Sequence, residues 1–159
     1  MNKKKLLFVC LGNICRSPSA EGIMKKLVKE AGSENNIYIE SAGTSGWHEG
    51  ELPDSRMRVH AKRRGYALDS LSRSVRPKDF EEFDIILAMD DNNYHILKNC
   101  APNLECEQKI YRMTDFRKRL KYDHVPDPYY GGADGFDLVI DILEDACEGL
   151  LDAIKNNKI

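Results

Sequence analysis

The chain has 159 residues, of which 42% are hydrophobic and 31% are charged, and its formal net charge is −2. This length and composition predict one soluble globular domain over residues 1–159, with enough apolar material for a full core. The charge argues against a general nucleic-acid-binding protein. No stretch approaches the roughly 18 consecutive apolar residues typical of a membrane span, so no membrane partner is expected.

Cysteine usage predicts a reduced, cytoplasmic setting. The count is odd, and the apolar run near the N-terminus is too short for a signal peptide, so a disulfide framework is disfavoured. A zinc site is the competing use of four of these residues, but their spacing is loose and no histidine stands in register. We therefore expect no metal. The five cysteines are Cys10, Cys15, Cys100, Cys106 and Cys147.

The first predicted elements are a strand, a tight loop and a helix. Residues 5–10 form a short apolar run that ends at Cys10 before a glycine-containing loop, as in a buried parallel strand. Ser17 followed by Pro18 predicts a helix start, with Ser17 as the N-cap and the proline in the first helical position. Apolar residues at helical spacing continue this helix until Gly32 ends it.

The rest of the chain continues to alternate between strands and helices. Strands are predicted over residues 37–42, 83–89 and 109–113, and helices over residues 54–64, 92–100 and 136–154. This alternation predicts right-handed crossovers and a parallel sheet covered on both faces by helices, which is an α/β three-layer sandwich. Ligands of such sheets bind at the carboxyl ends of the strands, and the loop after the first strand lies there.

The loop from Cys10 to Ser17 has the features of an anion-binding site. It joins a strand to a helix N-terminus, where successive backbone N–H groups and the helix dipole favour negative charge. Gly12 and Asn13 are residue types that tolerate left-handed backbone conformations, which a loop with inward-facing amides requires. The loop therefore predicts a site that holds phosphate without a metal.

Three side chains of this loop suit phosphate chemistry. Cys10 lies at the entrance to the positive field, which favours the nucleophilic thiolate over the thiol. Arg16 offers a planar guanidinium that can hold two phosphate oxygens into the transition state, and Ser17 can donate its hydroxyl to the sulfur. A buried strand-end cysteine beside an ordinary turn is the alternative, but it does not account for the combination of residues in this context.

The segment from Cys10 to Ser17, CLGNICRS, resembles the phosphate-binding loop of the low-molecular-weight protein tyrosine phosphatases, and the resemblance runs nearly end to end. It implies a four-stranded parallel sheet flanked by helices on both faces and no cofactor. It also implies hydrolysis of phosphotyrosine proteins and small aryl phosphates through a cysteinyl-phosphate intermediate, with inorganic phosphate as product. The phosphate-binding residues that it implies are Leu11, Gly12, Asn13, Ile14, Cys15, Arg16 and Ser17.

Asp127 is the best candidate for a general acid. Protonating the leaving oxygen lowers the barrier to expelling a phenolate, because the pKa of tyrosine is about 10. Pro126 and Pro128 stiffen the backbone on either side of Asp127. From spacing alone, a plain Asp-Pro turn fits equally well. The resemblance favours catalysis, since the family's acid occupies this Asp-Pro-Tyr-Tyr position.

An aromatic slot is expected beside the phosphate site. Trp47, Tyr129 and Tyr130 are candidates for its walls, against which a phenyl ring would stack, although a lone tryptophan is more often part of a core. The resemblance places substrate-pocket residues at Leu11 and His48 as well. Tyr129 and Tyr130 also resemble regulatory phosphorylation sites of some family members.

The resemblance assigns supporting roles to further residues. Asn13, Ser17 and Ser41 match positions that brace the loop, whereas Ser70 stands where many relatives carry histidine. The smaller hydroxyl of Ser70 is expected to bond Asn13 directly or through water. Cys15 matches a cysteine that forms a reversible disulfide with the nucleophile under oxidation, and a small buried thiol is the competing interpretation.

Three other functions are compatible with this type of loop. An arsenate reductase would need a cysteine relay, for which Cys100 and Cys106 are candidates, but it has no use for the acid segment or the tryptophan. A protein-arginine phosphatase tends to carry threonine where this chain has Ile14. A phosphocarrier or a phosphotyrosine-binding module would not need all of the nucleophile, the arginine and the acid, which this chain retains.

Overall fold

A four-stranded, all-parallel sheet in the order β2-β1-β3-β4 lies at the centre of the protein. The computed structural model describes residues 3–129 and 131–159. Each strand agrees with its predicted range to within two residues, and the predicted fold class is confirmed. The strands are β1 (Lys4–Cys10), β2 (Ile37–Gly43), β3 (Ile85–Ala88) and β4 (Ile110–Arg112).

The helices follow the predicted alternation, with two additions. The single-turn helices α3 and α5 were not predicted, because four residues are too few to show a periodic pattern. Within the described residues, no helix combines the length and apolarity needed to cross a bilayer. The helices are α1 (Arg16–Glu30), α2 (Ser55–Arg63), α3 (Asp79–Glu82), α4 (Asp91–Cys100), α5 (Leu104–Glu107) and α6 (Ala133–Lys155), with a 3₁₀ turn at Met113–Phe116.

Helices cover both faces of the sheet. Alternate residues of a strand point to opposite faces, and β1 shows this clearly. Leu6 and Phe8 lie in the buried cluster that also contains residues of α1 and α6. Leu7 and Val9 lie in a second cluster, which includes Leu97 of α4. The protein is therefore a three-layer sandwich, and the carboxyl ends of β1 and β3 meet at one edge of its central sheet.

The start of α1 differs from the prediction. The helix begins at Arg16, so Ser17 is not its N-cap and the following proline is the third helical residue. Cys15 occupies the N-cap and makes no side-chain capping hydrogen bond. The Ser17 hydroxyl contacts Cys10 and Asn13 instead of the helix N–H groups. The prediction was wrong because contacts within the loop engage this serine more directly than helix capping does.

Gly149 lies where α6 meets the 3₁₀ turn. A Cβ atom at this position would lie 1.8 Å from the carbonyl oxygen of Phe116, which is far inside any allowed contact. The neighbour is backbone and cannot rotate away, so the close approach of α6 to the turn requires a residue without a side chain.

We expect Gly149→Ala to destabilise the fold. The gain in helix propensity, about 1 kcal/mol, is smaller than the cost of separating the two backbones, so the free energy of unfolding should fall by roughly 3 kcal/mol. Urea denaturation measures the change. Gly135→Ala is the matched control, because it lies in the same helix and a Cβ there would make an ordinary contact with Pro128 at 3.6 Å. Equal stability of the Gly149 variant and the wild type would contradict the prediction.

Candidate active site

The loop between β1 and α1 presents unpaired backbone donors at the carboxyl edge of the sheet. Within the described part of the chain, the N–H groups of residues 11–15 donate to no acceptor. They stand at the N-terminus of a 15-residue helix, whose dipole also favours an anion. Free donors of this kind, close together, can surround the oxygens of a phosphate group.

Asn13 holds this loop in its conformation. Its φ is 56°, as expected for a residue that tolerates the left-handed region, whereas Gly12 does not have a positive φ. Its amide Nδ2 donates to Ser17 Oγ at 2.7 Å and to Ser41 Oγ at 3.0 Å. Its Oδ1 accepts from the backbone N–H of Arg73 at 3.1 Å. The structure thus brings Asn13, Ser17 and Ser41 together, as the resemblance implies.

The remaining hydrogen bonds to the loop come from residues close to Ser70 and not from Ser70 itself. Ser70 makes no hydrogen bond to Asn13 in the described structure, so the expected direct contact is absent. Instead, the Ser72 hydroxyl donates to the Gly12 carbonyl at 3.0 Å. The Ser72 hydroxyl and the Arg73 backbone N–H, two and three positions after Ser70, therefore contact the loop. Sequence inspection missed both because neither position stands out by residue type.

The Cys10 sulfur is buried and points to donors. Only 2% of Cys10 is exposed, and its Sγ lies 3.0 Å from Ser17 Oγ. The backbone N–H of Ser17 donates to the same sulfur at 3.5 Å. A thiolate is stabilised by donors and by the N-terminal end of a helix, so this geometry suits the ionised sulfur that the sequence predicts.

Cys15 has the opposite environment. Burial raises the pKa of the Cys15 thiol well above its usual range, and the nearby negative charges of Asp54, Cys10 and Asp127 add to this shift. Cys15 therefore carries its proton at neutral pH. The two loop cysteines are chemically distinct, although both are buried and neither forms a disulfide.

Arg16 is buried and held in place by two groups that sequence inspection did not assign to it. Its Nη1 donates to Asp90 Oδ2 at 2.6 Å and to the Val125 carbonyl at 3.0 Å, and only 3% of its side chain is exposed. Asp90 follows the end of β3, which lies next to β1, so its position at a strand end was the available signal. The contact with Val125 spans 109 residues and left no local signal.

Asp127 lies beside Arg16 but belongs to a loop far away in the sequence. Its Oδ2 lies 3.6 Å from Arg16 Nη2, and its Oδ1 accepts from the backbone N–H of Tyr129 at 3.0 Å. About a third of the side chain, 37%, is exposed. This carboxyl group can therefore meet both a ligand held by the loop and water from outside.

The segment around Tyr129 is tied to α2. The Arg56 guanidinium donates to the Tyr129 carbonyl at 3.0 Å and stacks 5.5 Å from the centre of its ring. Arg56 itself is held by Asp54, the N-cap of α2, with a contact of 2.9 Å. The backbone N–H of Asp54 in turn donates to the Ile14 carbonyl in the phosphate loop at 2.8 Å.

A cavity of about 390 Å³ opens above the loop. Trp47 lies at its rim with 86% of its surface exposed, so it is neither a core residue nor a packed wall. His48 and Tyr129 face each other with ring centres 6.1 Å apart. The predicted pocket residue Tyr130 lies outside the described residues. The cavity is lined by Cys10, Leu11, Gly12, Ile14, Cys15, Arg16, Ser45, Trp47, His48, Asp127 and Tyr129.

Comparison with known sequences gives the family. Residues 5–159 match the family model described as low molecular weight phosphotyrosine protein phosphatase. The chain belongs to this family. Nearly the whole chain lies within the match, including the loop, Arg16, Asp90 and Asp127.

Relatives of this phosphatase family resemble the chain over nearly its full length. A Synechocystis protein described as a putative low molecular weight protein-tyrosine-phosphatase is 49% identical over 150 residues, which cover 94% of this chain and 96% of that protein. The crystal structure of a protein tyrosine phosphatase from Entamoeba histolytica is 52% identical, with a TM-score of 0.97 and coverage of 99% and 100%. The Drosophila arginine phosphatase is 34% identical, with a TM-score of 0.86 and coverage of 95% and 98%.

The other cysteines lie away from the site. Cys100 is the last residue of α4, a ten-residue helix that begins beside Asp90 and runs about 15 Å away from the site. Cys106 is buried in the core cluster on the same side of the sheet, and Cys147 is fully buried on the other. Among the residues described, no group of three or more His, Cys, Asp or Glu side chains is arranged to hold a metal ion.

Proposed function

We propose that this chain is a metal-independent protein tyrosine phosphatase that uses Cys10 as nucleophile and Asp127 as general acid. One observation carries the proposal. A single cavity is lined by Cys10, Arg16, Asp127 and four of the loop residues whose backbone N–H groups are unpaired, Leu11, Gly12, Ile14 and Cys15. The membership of the phosphotyrosine phosphatase family supports the same activity.

In the first step, the Cys10 thiolate attacks the phosphorus atom held by the loop amides and Arg16. A sulfur–phosphorus bond forms while the bond from phosphorus to the phenolic oxygen breaks. Asp127 gives its proton to that oxygen, so the leaving group departs as a neutral phenol. The amides and Arg16 stabilise the charge on the non-bridging oxygens, which is the role that a metal plays in other phosphatases.

In the second step, water attacks the phosphocysteine. Asp127, now a carboxylate, takes a proton from the water as the new oxygen–phosphorus bond forms. The sulfur–phosphorus bond breaks, inorganic phosphate is released, and the thiolate is restored. The Ser17 hydroxyl, 3.0 Å from the sulfur, stabilises the departing thiolate.

Phosphotyrosine proteins are the substrate class that best fits the cavity. The phosphate must reach Cys10, which is 98% buried, and the exposed Trp47 and the half-buried Tyr129 both line the cavity that leads to it. A planar phenyl ring spans this depth and stacks on aromatic side chains, whereas the shorter phosphoserine does not. The ring of His48 lies next to that of Tyr129 and also lines the cavity.

Phosphoarginine is the second candidate, since one relative is an arginine phosphatase. Ile14 lines the cavity and brings an apolar side chain to the position where that branch tends to have threonine. An apolar wall offers no partner to the polar guanidino group, which favours the aryl substrate. Parallel assays of phosphotyrosine and phosphoarginine peptides decide between the two, and Ile14→Thr should raise the relative rate on phosphoarginine.

Release of inorganic phosphate from a phosphotyrosine peptide in the presence of a chelator tests the proposed function directly. Rapid acid quenching should capture phosphate covalently attached to the Cys10 peptide. An arsenate assay coupled to thioredoxin should show no reduction, because Cys100 and Cys106 lie at the far end of α4 and in a core cluster. Absence of turnover with every aryl phosphate tried would overturn the proposal.

Oxidation provides a further test. Peroxide converts the Cys10 thiolate to a sulfenic acid, and attack by the Cys15 sulfur then forms a disulfide with loss of water. We expect mass spectrometry after mild peroxide to find a Cys10–Cys15 link and dithiothreitol to restore activity. Cys15→Ser should instead accumulate sulfonic acid at Cys10 and lose activity irreversibly. Sulfonic acid in the wild type without the link would contradict this protective role.

A further inference from the structure

A chain of buried hydrogen bonds leads from the Cys10 sulfur to Glu21, a residue of α1 that is only 5% exposed. Ser17 Oγ lies 3.0 Å from the sulfur, and the Asn13 amide donates to Ser17 Oγ at 2.7 Å. The same amide donates to Ser41 Oγ at 3.0 Å, and Ser41 donates to Glu21 Oε1 at 2.5 Å. Residue type and spacing alone do not connect Glu21 with the site.

Two fixed groups set the direction of the bonds in this chain: the Glu21 carboxylate at one end and the backbone N–H of Arg73 at the Asn13 carbonyl. An ionised carboxylate can only accept, so Ser41 must give its one hydroxyl hydrogen to Glu21. The Ser41 oxygen is then left as an acceptor, and the Asn13 side chain must turn its NH₂ group toward it. The Asn13 carbonyl consequently faces the backbone N–H of Arg73, which donates to it.

The orientation of the Asn13 amide determines whether the Ser17 hydroxyl can donate to the Cys10 sulfur. Because Asn13 donates to Ser17 Oγ, the single hydrogen of Ser17 remains available. Its possible acceptors are the Cys10 sulfur at 3.0 Å and the Ala42 carbonyl at 3.4 Å, and an ionised sulfur is both nearer and charged. If the Asn13 amide were reversed, its carbonyl would take that hydrogen and the thiolate would lose a donor.

We propose that Glu21 is a positioning residue of the active site, which acts through Ser41 and Asn13 to keep the Ser17 hydroxyl pointing at the Cys10 thiolate. This role rests on the proposed function, in which Cys10 is the nucleophile. Glu21 touches neither the substrate cavity nor the sulfur, and the hydrogen bonds through Ser41 and Asn13 connect it to Ser17.

Lys25 makes the proposal testable by a conservative substitution. Its ammonium group lies 2.6 Å from Glu21 Oε2, and an ammonium group can only donate. In Glu21→Gln, the amide carbonyl will face Lys25, so its NH₂ group must face Ser41. Two donors, the new amide and that of Asn13, then point at the Ser41 oxygen, and the Ser41 hydrogen loses its acceptor in a buried place. Reversal of the Asn13 amide would give this hydrogen a carbonyl acceptor, and the same carbonyl would then compete for the hydrogen of Ser17.

The experiment measures alkylation of Cys10 by iodoacetamide as a function of pH, followed by mass spectrometry of the Cys10 peptide. In Glu21→Gln, alkylation should be roughly tenfold slower at mildly acidic pH, as expected for one charge-assisted hydrogen bond, and should equal the wild-type rate at alkaline pH. With an aryl phosphate, kcat should fall while KM stays nearly constant. Glu30→Gln, an exposed residue of the same helix, is the matched control.

A double variant distinguishes a change in hydrogen-bond orientation from a general loss of structure. In Glu21→Gln with Lys25→Met, the amide is free to turn its carbonyl back toward Ser41, so the pH profile of alkylation should return toward that of the wild type. A partly unfolded protein would alkylate faster at every pH, and urea denaturation detects such a loss of stability. If Glu21→Gln does not fold, Ser41→Ala breaks the chain at its centre while leaving the Glu21–Lys25 pair, and the same change in pH profile is expected.

A wild-type pH profile in Glu21→Gln, the same loss in Glu30→Gln, or no rescue in the double variant would each overturn the positioning role. Alkylation reports on the sulfur without requiring turnover. A wild-type enzyme that fails to hydrolyse aryl phosphates would therefore refute the proposed function, whereas an unchanged alkylation profile would refute only the role of Glu21.

Discussion

Cys10→Ser should abolish the turnover of phosphotyrosine and aryl phosphates while leaving phosphate binding intact. A serine hydroxyl in this position is not ionised and is a far weaker nucleophile, so kcat should fall by at least about 10⁴-fold. The loop amides and Arg16, which we propose to hold the phosphate, are unchanged by the substitution. Loss of chemistry with retained binding is the signature of a missing nucleophile.

Two measurements test this result. Steady-state assays with an aryl phosphate give the loss in rate, and calorimetric titration with inorganic phosphate gives the affinity, which should stay within a few fold of the wild-type value. Cys100→Ser is the control, because Cys100 is exposed at the far end of α4 and should leave kcat unchanged. Substantial turnover by Cys10→Ser would remove the basis for a cysteinyl-phosphate intermediate.

Asp127→Ala should slow the reaction by an amount that depends on the leaving group. Without a proton donor the phenol must depart as phenolate, and general acids contribute roughly 10²–10⁴-fold to such steps. The loss should be largest for phosphotyrosine, whose leaving group has a pKa of about 10. Nitrated aryl phosphates release weakly basic phenolates that need no proton, so their cleavage should suffer much less.

A series of aryl phosphates with leaving groups of graded basicity measures this dependence. The slope of log kcat/KM against leaving-group pKa should be steep in Asp127→Ala and shallow in the wild type. Asp123→Ala is the matched control, since this carboxylate lies four residues upstream, is 94% exposed in its side chain and contacts only His124 in the described structure. Equal losses for all leaving groups would assign Asp127 a structural role instead.

The central part of the site could be predicted from the sequence because it is contiguous. Eight residues, from the last residue of β1 to the second residue of α1, carry the proposed nucleophile, the guanidinium and the loop amides, so their proximity depends only on local geometry. The strands were also predictable, since buried parallel strands are short apolar runs. The order of the strands and the second face of the core depend on long-range packing, which residue patterns do not specify.

The supporting groups could not be found in the same way. Asp90 and the Val125 carbonyl meet Arg16 across separations of 74 and 109 residues, and Ser72 reaches the loop across 60. Neither a carbonyl nor a serine is distinctive by type. Ser17 was misassigned as a helix cap for a related reason, because its partner is a sulfur seven residues away that the helix start brings close.

The attachment of Arg56 and Asp54 has a mechanical consequence. The loop from Cys10 to Ser17 and the segment that contains Asp127 both form hydrogen bonds to the start of α2. Asp54 donates to the Ile14 carbonyl, and Arg56 donates to the Tyr129 carbonyl. A thermal displacement of the start of α2 would move the Asp127 segment and the loop in the same direction. The distance between them would therefore vary less than the position of either. The helix thus supports together two parts of the candidate site that are more than 110 residues apart in the chain.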